Sequence, residues 1–129
     1  MSGGYGARQY KQTSITTASK GQVLIMLYEA AIRNVKKATD AIAARDIPGK
    51  GKHIGKAHDI LNELVATLDF SVGGDIARDL ERLYNFMTEQ LMKANIESSA
   101  EPLSVVQRLL ENLLSGWREA VKVAESRSN

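Results

Sequence analysis

The sequence predicts an all-α fold, an antiparallel four-helix bundle with a flexible N-terminal arm, and three observations lead there. Apolar residues recur at steps of three and four along four separate stretches. Short breaks carrying glycine, proline and serine separate the stretches. Strand-like alternation and hairpin signals are missing throughout. The chain of 129 residues suits one domain with a core that needs no staples. The division expected is an arm over 1–18 and a helical bundle over 19–129.

The arm is polar, with Gly, Ser, Thr and Gln around isolated Tyr5, Tyr10 and Ile15. That composition predicts a flexible or loosely docked segment. Ser19 to Gln22 offers a capping box, S-x-x-Q, for the first helix. From Val23 to Arg45 a stripe of Leu24, Leu27, Tyr28, Ala31, Val35, Ala38 and Ile42 predicts that helix. Asp46 to Gly51 contains Pro48 and two glycines, so a break is expected there. The second helix is expected from Lys52 to Asp69 on the stripe Ile54, Ala57, Leu61, Leu64 and Leu68. Gly73 and Gly74 supply a tight break, and Asp75 suits a helix N-terminus. The third helix carries Ile76, Leu80, Leu83, Tyr84, Met87, Leu91 and Ala94. After a polar stretch over 95–100, the fourth opens with Ser98 to Glu101 as a capping box, or with Glu101 as cap and Pro102 at the first position. Its stripe is Leu103, Val106, Leu110, Leu113, Trp117, Ala120 and Ala124.

Composition bounds the function. Without cysteine there is no disulfide framework and no thiol chemistry. No apolar run approaches the roughly 20 residues that span a bilayer, and the N-terminus lacks the apolar core of a secretory signal. A cytoplasmic location and no membrane insertion are therefore expected. Residues 1–56 hold ten Lys/Arg against three Asp/Glu, and 57–129 hold seven against twelve. The simplest reading is that the halves attract as neighbouring helices. A basic face for nucleic acid or acidic lipid is the alternative. With aromatic residues at 5%, a base-stacking platform is not expected, and nucleic acid is not expected as a partner.

Catalytic patterns are not found, so no catalytic residue, metal ligand or cofactor is assigned. Gly49-x-Gly51 is too short for a phosphate loop and follows no strand. His53 and His58 lie about 140° apart around a helix, which does not suit one metal. His53 and Lys56 echo the exposed His near a Lys of four-helix phosphotransfer domains, and that reading stands as the alternative function.

Apolar residues outnumber those that one core stripe of about 100° requires. Ile25, Ile32, Ile60, Val65, Ala77, Val105 and Leu109 lie beside the expected stripes. They are ordinary exposed surface, or they form a groove for a partner's amphipathic helix. A third reading is a bundle that dimerises through this surface.

Longer patterns resemble one family. L-I-M-L-Y over Leu24 to Tyr28, then Ala30 to Ile32, resembles the first helix of flagellar secretion chaperones of the FliS family. Ile54, Lys56, Ala57, Ile60, Leu61, Glu63 and Leu64, with Leu68 and Asp69, are similar to its second. Gly73, Gly74, Ile76, Ala77, Leu80, Leu83, Tyr84, Leu91, Ala94 and Asn95 resemble its third. The fourth rests on Val105, Val106, Leu109, Leu110, Leu113 and Trp117 to Ala120. Tyr10 sits where the family carries an arm tyrosine. The likeness runs from about Tyr10 to Ala124, and Ser19 to Gly21 stand where the family often has proline.

The resemblance implies a bacterial cytosolic export chaperone without enzymatic activity. It would hold the C-terminal helical segment of flagellin, prevent premature polymerisation and deliver flagellin to the flagellar type III export gate. Tyr10 and Ile15 would cap the groove. Ile54, Ala57, Leu61, Leu64 and Leu68 are expected to pack, with Ile60 and Val65 nearer the partner. Val105, Leu109 and Trp117 are further partner-binding candidates. A monomer or weak dimer is expected.

Overall fold

Four amphipathic stretches can share one core only by folding back on each other, and short breaks make neighbours antiparallel. The computed structural model describes residues 20–128 and has that arrangement. Helix α1 spans Lys20–Ala43, α2 Ile47–Ala66, α3 Phe70–Glu97 and α4 Glu101–Ser128. Each connection is three residues long. The helices form a ring in which α1 packs on α2 and α4, and α3 packs on the same two. Tyr10 and Ile15, with the arm, and Ser19 of the capping box lie outside the described residues, and the Gln22 side chain donates to Glu125 of α4 at 2.9 Å.

The helix ends are set by local chemistry, which corrects two expected boundaries. The Arg45 amide donates to the Ile42 carbonyl at 3.1 Å and the Asp46 amide to Ala41 at 2.8 Å, so α1 closes in a Schellman turn. Arg45 holds the left-handed position with φ 58°. Asp46 then caps α2 by accepting from the Gly49 amide at 3.0 Å. Pro48 therefore opens α2 where a break was expected, because the first turn does not need the amide hydrogen that proline lacks. Asp69 caps α3, which starts at Phe70, ahead of the expected Asp75. Gly74 interrupts that helix with φ 53° and ψ −123°, a backbone conformation suited to glycine. Ser98, with φ 49°, ends α3.

The core runs through Tyr28, Val35 and Ala38 of α1, Ile54, Ala57, Leu61 and Leu64 of α2, Met87 and Leu91 of α3, and Leu103, Val106 and Leu110 of α4. Ile25, Ile32 and Ala77 are buried, against their expected surface position. Each helix touches two neighbours in the ring, so the buried stripe is wider than one contact line. Ile76 is 70% exposed although its spacing placed it inside. The Gly74 kink resets the helical phase, and Ala77 takes the inward position. Ala120 and Ala124 are also exposed, and Leu114 is buried next to a half-buried Leu113.

Across the centre, the Tyr28 and Tyr84 hydroxyls lie 2.6 Å apart and link the diagonal helices α1 and α3. Burial, above all, pushes both phenols above their ordinary pKa, so both stay neutral. Removing one hydroxyl orphans the other, whereas removing both leaves an apolar contact. Tyr84→Phe is expected to cost about 1–3 kcal/mol, and Tyr28→Phe with Tyr84→Phe less than the sum of the two single changes. Urea unfolding of the four proteins checks this; strict additivity would dismiss the coupling.

Charge does not join the halves as expected. The inter-helix ion pair among the described residues sets Arg118 of α4 against Glu29 of α1 at 2.8 Å, the reverse of the expected polarity. Arg78–Asp75 and Arg82–Asp79 pair within α3. Among the described residues Lys50 is the charged side chain that is buried, against the end of α3.

Candidate groove at the Gly74 end of the bundle

An apolar cavity of about 590 Å3 opens where α1 begins and α3 kinks. Val23, Leu24 and Leu27 of α1 form one wall, and Leu68 with the first turns of α3 forms the other. Tyr84 and Trp117 close the floor from α3 and α4. Leu24 and Leu27, expected in the core, are half-buried here because the kinked start of α3 leaves the core open beside them. Val72 and Ile76 stand at the rim, 84% and 70% exposed, on either side of the two glycines. Large aliphatic side chains left in water around a cavity are the mark of an unfilled interface.

Polar chemistry is confined to the edge and floor. Lys20 and Asp69 border the cavity. The Asp69 carboxylate accepts from the Ser71 hydroxyl at 2.5 Å and from the Ser71 and Val72 amides at 3.0 and 3.3 Å. The Ser71 hydroxyl, then the Val72 amide, hold its pKa below the usual carboxylate range. The unfolded value of about 3.9 is therefore higher than the folded one. The cap is complete above that value and is lost as pH falls through the lower folded pKa. A carboxyl-carbon NMR titration should place Asp69 below about 3.9, with the start of α3 loosening at its midpoint. A midpoint at the unfolded value would remove the cap from the account. On the floor, the buried Trp117 indole nitrogen has no hydrogen-bond partner among the described residues. It lies close enough to Tyr28 to offset part of that phenol's rise without completing a bond.

The candidates from the sequence divide by location. Leu68 and Trp117 line the cavity. Ile54, Ala57, Leu61 and Leu64 are consumed by the core and present no surface to a partner, because α2 turns this face to all its neighbours at once. Ile60, Val65 and Leu109 are half-buried against the core and do not line the cavity. Val105 lines a small cleft with Gln90 and Pro102 at the opposite end. Val23, Val72, Ile76 and Tyr84 were not singled out for the site. The legible signal was Val72 and Ile76 flanking Gly73 and Gly74.

His53 sits on the α1–α2 surface with Nδ1 3.0 Å from Asn34 Oδ1. Partial burial first, then Lys37, Lys52 and Lys56, lower its pKa. Among the described residues, no group of three or more His, Cys, Asp or Glu could hold a metal ion, and no helix is long and apolar enough to cross a membrane.

Comparison with known proteins agrees with the fold. The family described as "Flagellar protein FliS" matches residues 3–124. The flagellar secretion chaperone FliS of Vibrio cholerae is 34% identical over 112 residues, covering 84% of this chain and 82% of that protein. The Salmonella typhimurium protein of the same name is 33% identical over 119 residues, 88% of each chain. That of Bacillus subtilis is 27% identical over 113 residues, 88% of this chain and 84% of its own. A crystal structure of a flagellar chaperone from bacteria superposes with a TM-score of 0.77, covering 92% of this chain and 96% of that one. At 20% identity that likeness shows the fold alone.

Proposed function

Because the chain belongs to the flagellar secretion chaperone FliS family, we propose that it binds the C-terminal helical segment of flagellin in the bacterial cytosol. It keeps that segment from polymerising and delivers flagellin to the flagellar type III export gate, without catalysis. The observation that carries the reading is the open apolar cavity, rimmed by exposed Val72 and Ile76. An amphipathic helix laid there would cover aliphatic surface that the bundle leaves wet. A segment that folds on binding loses conformational entropy, so it needs long apolar contact, and the cavity would be one anchor along its path. Tyr10 and Ile15 would cover the groove until flagellin displaces them. The free protein is a monomer or weak dimer, and nucleic acid is not a partner.

Calorimetric titration with a flagellin C-terminal peptide tests this. One-to-one binding with a large negative heat-capacity change and a gain in helicity is expected. Silence at high micromolar peptide would sink the reading.

A further inference from the structure

A second cavity, of about 310 Å3, opens at the other end of the bundle, where the α1–α2 connection meets the end of α3. Ala41, Ile42 and Ile47 give it an apolar wall, Lys50, Arg45 and Ser98 face it, and Asp46, whose carboxylate caps α2, borders it. Lys50 is only 8% exposed. Its ammonium donates to the Asn95 carbonyl at 2.9 Å and to the Ser98 hydroxyl at 2.6 Å. An ammonium has three N–H donors, and the third has no partner among the described residues. No carboxylate pairs with Lys50 among the described residues. The α3 C-terminus offsets part of that buried charge, but supplies no full counter-charge.

Backbone strain points to the same place. Arg45 and Ser98 are the non-glycine residues with positive φ among the described residues, and both line this cavity. Each holds a helix-ending position that glycine fills at no steric cost. The Ser98 side chain is accounted for by its bond to Lys50. The Arg45 side chain has no hydrogen bond or ion pair among the described residues. The one acid beside it, Asp46, is engaged in capping Gly49. At this end residues 33–56 carry seven Lys/Arg against two acids, and the facing ends of α3 and α4 add Lys93 against Glu97 and Glu101, so the balance stays basic.

We infer that this cavity binds a carboxylate carried on an apolar stem. Lys50 and Arg45 take the carboxylate, and Ala41, Ile42 and Ile47 take the stem. The stem is either the apolar last residue of a polypeptide, with its free C-terminus, or a glutamate side chain. The site is independent of the groove at the Gly74 end and does not rest on the flagellin reading.

Amide NMR of the full chain tests it with four probes: a tripeptide ending in leucine with a free carboxylate, its C-terminal amide, an amidated tripeptide with a central glutamate, and inorganic phosphate. Shifts at Arg45, Lys50 and Ser98 with either carboxylate peptide, but not with the neutral amide, support the site and identify the source. Equal response to acid and amide, or none to either carboxylate, overturns it. Phosphate binding as tightly as the peptides also overturns it, because a site reading bare charge has no use for the apolar wall. Arg45→Gly relieves the strained backbone, so it should raise the melting temperature while weakening carboxylate binding about tenfold. Unchanged binding in that variant would dismiss the role of Arg45.

Discussion

Leu61→Ala is expected to remove about 3–5 kcal/mol of stability, the largest effect predicted for a single change in this molecule. The side chain is fully buried in the second half of α2, among the residues that all four helices contribute to the core. Truncation loses the transfer free energy of three carbons and leaves a cavity that rigid neighbouring helices close only in part. For a domain whose total stability is about 5–15 kcal/mol, that is a large share. The melting temperature should fall by roughly 10–20 °C at this chain length. Val123→Ala, at a position 42% exposed near the end of α4, serves as the control and should change stability by less than about 0.5 kcal/mol. Thermal unfolding followed by circular dichroism compares the two. A loss below about 1 kcal/mol at Leu61 would mean that the site repacks and that the core is looser than its burial implies.

Ile76→Asp carries the second large effect, on binding and not on folding. Ile76 is 70% exposed at the rim of the Gly74-end cavity, so a carboxylate there stays solvated in the free protein. Isoleucine and aspartate differ little in helix propensity, so helicity and melting temperature should hold. Once a partner helix covers the rim, the carboxylate loses water and gains no counter-charge. A hot-spot loss of at least about 2 kcal/mol follows, or roughly thirtyfold in affinity for the flagellin peptide. Val123→Asp, exposed and outside the cavity, should bind normally. Wild-type affinity in Ile76→Asp would move the flagellin contact elsewhere, with the fold untouched. Ile60→Asp is the poorer probe. Ile60 is half-buried against the core, so a charge there disturbs folding as well as any contact.

The sequence was informative wherever local periodicity and geometry pointed the same way. The stripes Tyr28–Ala31–Val35–Ala38 and Ile54–Ala57–Leu61–Leu64 are buried as their spacing requires. Pro102 at the head of α4 marks its start, and Gly74 marks a real interruption. Legibility failed where a residue has two plausible local roles. Pro48 with Gly49 and Gly51 reads as a break, yet Asp46 converts the same residues into a capped first turn. Ile76 and Ala77 differ by one step of 100°, and the kink beside them chooses which one points inward.

What the sequence determined by itself is the helical periodicity, the number of helices and the turns between them, because those depend on residues three or four positions apart. It also carried the family resemblance, which rests on order and spacing. What only the tertiary structure decided is which apolar face is left without a partner. Leu64 and Leu68 follow the same helical spacing, but one is sealed in the core and the other lines the cavity. Arg45 and Lys50 meet Ser98 only because antiparallel packing brings the start of α2 to the end of α3. Burial depends on what packs across from a side chain, and that neighbour lies dozens of residues away, beyond the reach of any local pattern.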